Sequence, residues 1–270
     1  MNEPGPLVGR GRSAEVFAWG ENQVLKLFLD GFAGDAEREM LAIRVAREAG
    51  LPAPDVGNVV ETGGRRGIVM ERVDGPSMLA AVASRPWSLV RMGRMLAELH
   101  AQMHSCDAEG LPSHRERIEG KVRDKARLRP PVRDAVLRVL RQLPDGTVLY
   151  HGDFHPDNVM MSGRGPVIID WVDASHGNPL ADVARTWFLF RKASMPVKMS
   201  TVERRLAGVV RARMWSVYLR RYRQLRPFQQ RELVAWRVPV AAARLAEAIP
   251  EETEPVVAFI ETSLRRLGYL

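Results

Sequence analysis

The chain has 270 residues, 46% hydrophobic and 27% charged, an ordinary globular usage that allows one or two lobes with a substantial core and excludes a mini-protein. No run approaches the roughly 18 to 20 apolar residues of a membrane span, MNEPGPLVGR is not built like a signal peptide, and the single Cys106 can form neither an intramolecular disulfide nor a multi-cysteine metal site. The formal charge of +8 collects in residues 183–270, which hold 17 basic and 7 acidic side chains, an excess that disfavours polycationic substrates and favours anionic ones.

A cytoplasmic protein without a membrane partner is expected. Only five of the 40 basic residues are lysines (Lys26, Lys121, Lys125, Lys192 and Lys198), so the excess is almost all arginine, and coding bias alone could produce it. The short Arg-rich stretch RRYRQLR (220–226) fits the outer face of an amphipathic helix better than a nucleic-acid site, which would leave the rest of the sequence unexplained. Cys106 is expected as a small packed side chain.

In chain order, EVFAW (15–19) and QVLKLFL (23–29) are β-rich runs separated by the turn Gly20-Glu21-Asn22. Residues 35–49 have helical spacing, with Ala36, Met40 and Ile43 on one face and Gly50 and Pro52 as stop signals. GIVMERV (67–73) is a further strand, and Asp74-Gly75-Pro76 is the best domain boundary, dividing the chain into 1–73 and 74–270. Beyond it, Leu89, Met92, Leu96, Leu99 and Met103 mark a helix for which Ser88 is the expected cap. Another helix near 132–143 leads to the strand VLY (148–150). VMM (159–161) and PVIID (166–170) flank the turn 162–165, and the chain from about 180 is helical, with Leu206, Val210, Met214 and Val217 in register.

The strongest chemical signal is HGDFHPDN (151–158) followed by IID ending at Asp170. Phosphoryl transfer needs a carboxylate at the attacking hydroxyl and oxygen ligands for magnesium on the phosphates. Asp153, directly after a strand, can orient the hydroxyl or act as general base. Asn158 and Asp170 offer a neutral and an anionic oxygen suited to a hard cation. In the N-terminal third, Lys26 lies inside an apolar strand, where a charge is costly without a partner or ligand. Strand alternation puts Val24 on the same face as Lys26. GRGRSAEV (9–16) fits G-x-G-x-x-A-x-V, with Gly9 and Gly11 allowing close backbone approach to phosphates and Ser13 at the loop tip.

These residues resemble the aminoglycoside phosphotransferase and choline kinase family, whose signature is an HGD-x-x-x-x-N loop followed by an I-D-W/F/P metal loop. WVDASHGNPLADVAR (171–185) extends the match. The resemblance implies an α+β, two-lobed protein-kinase-like fold: a small antiparallel N-terminal sheet with one key helix, then a larger, mainly helical lobe. It implies ATP, or alternatively GTP, as phosphoryl donor with Mg2+, and a small hydroxylated acceptor. Glu39 becomes the partner of Lys26, with Glu37 as the alternative. Val16 and Val24 enclose the adenine, Met70 to Val73 form the hinge, and the backbone at Glu71 and Val73 reads the purine edge. Asp182 braces the catalytic loop, His151 packs and hydrogen-bonds, and Trp171 is core. Glu251, Glu252 and Glu254 either meet a cationic acceptor or start a helix after Pro250. The alternative to an enzyme is a non-catalytic nucleotide-binding regulator on the same fold.

Overall fold

The computed structural model describes residues 3–108, 110–193 and 199–270 of the chain. Lys198 lies outside the described residues. The fold is α+β, with an antiparallel sheet near the N-terminus and a mainly helical remainder. It divides into two compact units, each made of two stretches of chain: Met1–Ser84 with Pro156–Ala174, and Arg85–His155 with Ser175–Leu270.

The first unit opens with strands β1 (Leu7–Arg10), β2 (Ala14–Trp19) and β3 (Gln23–Phe28), then helix α1 (Asp35–Glu48), strands β4 (Val56–Thr62) and β5 (Arg65–Glu71), and the short helix α2 (Met78–Ser84). The five strands pair in the order β1-β2-β3-β5-β4, all antiparallel. Leu25 and Leu27 of β3 bury one face with Val69, and Phe17, Trp19 and Val60 pack against them. Because side chains alternate along a strand, Val24 and Lys26 must take the other face. On α1, Ala36 and Ile43 are fully buried as the spacing predicts, while Met40 is half-exposed.

The chain then enters the second unit through α3 (Leu89–Met103), α4 (His114–Gly120), α5 (Pro130–Gln142) and β6 (Val148–Tyr150). Ser88 does not cap α3: it is helical, at φ −74° and ψ −12°, and its side chain accepts no cap hydrogen bond. The reason is local, since the 3-10 turn Pro86–Ser88 already runs straight into the helix. After the loop that follows β6, the chain returns to the first unit for the hairpin β7 (Val159–Ser162) and β8 (Gly165–Ile168), paired Val159 with Ile168 through Ser162 with Gly165. The turn after β5 holds this hairpin: Pro76 accepts the Met161 amide at 2.8 Å, and Ser77 bridges to Met160. Gly75, at φ +138°, lies so close that an added Cβ would stand 2.3 Å from the Met161 carbonyl oxygen, so no other residue fits there.

The second unit resumes with β9 (Ser175–Gly177), paired with β6, and helices α6 (Pro179–Arg191), α7 (Thr201–Leu225), α8 (Gln230–Arg244) and α9 (Pro250–Arg266). Helix α7 packs on α3, and α8 packs on α6 and α5. Their shared core includes Leu96, Phe188, Tyr218, Tyr222, Trp236 and Ile260, all nearly or fully buried. Among the described residues, no helix is long and apolar enough to cross a membrane.

Candidate active site

In the first unit the sheet register gathers one set of sequence-predicted residues on a single face. Val16 stands opposite Lys26, Val24 opposite Met70, and Lys26 opposite Ile68. Gly9 pairs with Val16 at the mouth of the β1–β2 turn, which the Gly11 amide closes on the Ala14 carbonyl at 2.8 Å. An added Cβ on Gly9 would meet nothing within 4 Å, so open space adjoins the backbone there. Glu15, bound by Arg10 and Arg65, fixes the base of this turn, and Ser13 accepts the Leu29 amide through its carbonyl. At the end of β5, the Glu71 amide donates to Asp55 at 2.8 Å, and the Glu71 carboxylate binds Arg164 and the Asp55 amide. Val73 follows in the turn that leads to Gly75.

Lys26 Nζ lies 2.8 Å from Glu39 on α1 and 2.6 Å from Asp170 Oδ1. Glu37 is engaged elsewhere, by Arg66, which settles the choice between the two glutamates in favour of Glu39. Burial opposes the charge on Lys26, but the Glu39 and Asp170 carboxylates outweigh it and hold the ammonium above its ordinary range. Glu39 is fully buried, and burial pushes its carboxyl up despite the attraction of Lys26. One Glu39 oxygen also accepts the Trp171 amide at 3.2 Å. Trp171 is core as expected, with its indole N–H bound to the Ile168 carbonyl.

The β7–β8 hairpin sets Asn158 and Asp170 side by side. Asn158 immediately precedes β7, and its carbonyl accepts the Ile169 amide at 3.0 Å, one residue before Asp170. Asp170 has φ +64°, a left-handed conformation that Asp tolerates better than most residues but that still costs about 1 kcal/mol. This kink turns the carboxylate out of the strand, leaving it 40% exposed while Lys26 holds one oxygen. Two oxygen donors, one anionic and one neutral, on adjacent chain segments fit a hard divalent cation.

In the second unit, Asp153 follows β6 on a loop braced from α6. Asp182, buried completely, accepts the backbone N–H groups of His151 at 2.6 Å and Gly152 at 3.2 Å. The Asp153 amide in turn donates to His151 Nδ1 at 3.2 Å, and Thr186 donates to the Phe154 carbonyl at 2.9 Å. Behind Asp182, His100 Nε2 stands 3.1 Å and His104 Nε2 3.5 Å from Oδ2. Tyr218 and Tyr222 of α7 meet the Nδ1 atoms of these histidines at 2.6 and 2.7 Å. Burial pushes His104 down to about 3, so its ring is neutral and can relay a hydrogen bond from tyrosine to carboxylate. Burial works against ionisation of Asp182, but His100 and His104 keep its acid well below the usual range. These three groups are also the His/Asp cluster close enough to ligate a metal among the described residues. Both carboxylate oxygens already accept loop amides, so the cluster acts as a brace.

Asp153 itself has two side-chain neighbours, Arg185 and His155, that the sequence alone did not identify. Arg185 donates to Asp153 Oδ1 and to the Gly152 carbonyl, each at 3.1 Å, and His155 Nε2 lies 3.3 Å from Oδ2. Burial alone would raise the Asp153 acid, but the His155 hydrogen bond and the Arg185 charge hold it far below its ordinary range. Arg185 is paired again with Glu247 at 2.9 Å, Glu247 with Arg244 at 2.5 Å, and Arg244 with Glu252 at 2.7 Å. Glu252 is therefore buried in an ion pair, whereas Glu251 and Glu254 are exposed in the first turns of α9. The signal for Arg185 was present: it is the one charge after Asp182 in the apolar run VARTWFLF, and a charge there needs a partner. Cys106 is half-buried, with its thiol pushed up by burial.

The lysine–glutamate pair and the hairpin bearing Asn158 and Asp170 in the first unit, and the braced aspartate loop in the second, are each features of a kinase-like fold, and the comparisons agree on that fold. The profile of the phosphotransferase enzyme family (APH) matches residues 6–228, and the chain belongs to that family. Its structure is similar to that of aminoglycoside phosphotransferase APH(4)-Ia in ternary complex with AMP-PNP and hygromycin B. The TM-score is 0.67 at 16% identity, over 98% of this chain and 93% of that one. It is also similar to the streptomycin–ATP complex of APH(2")-IIa, with TM-score 0.62 and 14% identity over 96% and 91% of the two chains. A choline/ethanolamine kinase family protein from Mesorhizobium loti matches at TM-score 0.55 and 18% identity, over 98% and 86%. No curated protein matches the sequence.

Proposed function

We propose that the protein is a small-molecule kinase that moves the γ-phosphoryl group of ATP, or of GTP, to a hydroxyl of a small acceptor. The observation that supports this most is the Lys26–Glu39–Asp170 ion triad in the same chain as an HGD loop whose backbone is braced by Asp182. In this reading residues 1–73 form the nucleotide-binding lobe and 74–270 the catalytic and acceptor-binding lobe. Gly9, Gly11 and Ser13 lie along the phosphates, Val16, Val24 and Met70 enclose the base, and the backbone at Glu71 and Val73 reads its edge.

Lys26 is held by Glu39 in position to meet the phosphates, and Asn158 and Asp170 are the residues that would hold Mg2+. The cation, when bound, neutralises charge on the β- and γ-phosphates. Asp153 accepts the hydrogen bond of the acceptor hydroxyl and aims its oxygen. With its acid held so low by His155 and Arg185, Asp153 is a weak base at neutral pH. That suits a loose transition state in which the hydroxyl keeps its proton until late.

The test is phosphoryl transfer from ATP or GTP with magnesium to a panel of aminoglycosides, amino alcohols, sugars and hydroxy acids, with Asp153→Ala as control. Acceptor-dependent transfer lost in the variant supports the kinase. Tight nucleotide binding with no transfer to any acceptor would point to the regulator.

A further inference from the structure

The arginines of the second unit differ in how they are matched. Nearest Asp153, Arg185 and Arg244 are balanced by Glu247 and Glu252. Farther along the same helices the balance ends. Trp187 and Arg191 are four residues apart on α6 and so lie on one side of it. Arg237 of α8 lays its guanidinium over the Trp187 indole, 4.2 Å from the ring centroid. Trp187 packs on Phe259 of α9 at 5.2 Å, and the Lys192 ammonium stands 5.2 Å over that ring. Arg211 crosses from α7 to the same helix end, donating to the carbonyls of Leu189 and Ala193.

Among the described residues, no carboxylate forms an ion pair with Arg191, Lys192 or Arg237. Among the described residues, the buried Nε–H of Arg237 also has no acceptor. A buried donor left without an oxygen is unfavourable, and like charges nearby add to the cost. Burial, then the charge of Arg191, push Arg237 down to about 10. An oxyanion set against the outer nitrogens of Arg237 and against Arg191 would offset the like charges, and a guanidinium stacked on an indole is pre-oriented for such a ligand.

We propose that Arg191 and Arg237, arranged about Trp187, form an anion subsite that takes a carboxylate or phosphate group of the acceptor. The assignment to the acceptor rests on the kinase reading; the anion site itself does not. Arg237 stands seven residues before Arg244 on α8, about 10 Å along the helix. The acceptor class is therefore a hydroxylated anion long enough to set its hydroxyl at Asp153 and its charge at Arg237, beyond the Arg185–Glu247–Arg244 chain of ion pairs, rather than a polycation.

The first arm is calorimetric titration with inorganic phosphate at ionic strength fixed by chloride, after MgAMP-PNP is added to saturation. Arg191→Gln, Arg237→Gln and Arg237→Lys are compared with the unmodified protein. Arg191 is exposed, so its variant keeps the fold even if Arg237→Gln does not. Loss of one charge-assisted contact should weaken phosphate binding by about 10-fold or more in both Gln variants. Equal affinity in protein and variants, or no binding to the unmodified protein, overturns the subsite. The MgAMP-PNP affinity measured beforehand reports on the kinase reading alone.

The second arm uses matched hydroxylated acceptors bearing a carboxylate, a phosphate monoester or a neutral amide. KM for the anionic members should rise in the Gln variants, and the better of the two identifies the group; KM for MgATP and for the amide should not move. An equal rise for the amide overturns the assignment to the acceptor, and if no acceptor turns over, the phosphate titration decides.

Discussion

Around Lys26, charges are paired with charges, and one of them, Asp170, remains partly open to solvent. Around Asp182, a single carboxylate is buried among backbone amides and histidines that tyrosine hydroxyls hold from behind, and among the described residues no lysine or arginine is bound to it. The first centre can exchange partners, because the Asp170 carboxylate is 40% exposed beside Lys26. The second cannot, since every group that touches Asp182 would be left unsatisfied in a dry interior. A centre built to bind keeps an open charge, and a centre built to position buries its charge behind fixed donors.

The comparison breaks most sharply at Asp153, which the positioning centre serves. Asp153→Ala should lower transfer by about 10³-fold or more while nucleotide affinity stays within about 2-fold. An unchanged rate, measured at saturating acceptor, would mean that the braced loop serves another end. Next in size is Asp182→Ala, which strands two loop amides and two histidine rings. It should destabilise the protein by about 3–5 kcal/mol, near 10 °C in melting temperature. A melting curve within 2 °C or so of the unmodified protein would deny Asp182 its bracing role.

A smaller effect distinguishes the two centres by pH. The Glu39 acid is raised in the folded state, so the stability it contributes is complete below the unfolded carboxyl range and lost as pH rises through its folded value. Lys26→Ala removes the main attraction that restrains this rise. The variant's deficit in stability should therefore grow by about 1–2 kcal/mol between pH 5 and pH 8. A deficit constant with pH would show that Glu39 is not left as a buried charge. The smallest effect is on rate: with the Asp153 acid held so low, kcat should show no acid limb from Asp153 between pH 6 and 8. A limb in that interval, abolished in Asp153→Asn, would show a base of ordinary strength.

What the sequence revealed about these centres follows from how local each is. HGDFHPDN, IID and the α1 helix are short motifs, and Lys26 betrayed itself as a charge within an apolar strand. Strand β1 and strand β4 were not foreseen, because LVGR is too short to show a period and VGNVVET does not alternate cleanly. The support of Asp182 by His100, His104, Tyr218 and Tyr222 depends on α3 packing against α7, with partners 118 residues apart. Nothing in either segment announces that pairing. Ser88 failed as a cap because a 3-10 turn continues through it, and Glu252 turned inward because Arg244 on another helix receives it.

The measurement that tests the division between binding and positioning most directly sets Asp170→Ala beside Asp153→Ala, reading magnesium-dependent nucleotide affinity and acceptor phosphorylation in each. The account predicts that Asp170→Ala loses the magnesium dependence of affinity along with transfer, while Asp153→Ala keeps that dependence and loses transfer alone. Loss of magnesium-dependent affinity in Asp153→Ala, or its survival in Asp170→Ala, would contradict it.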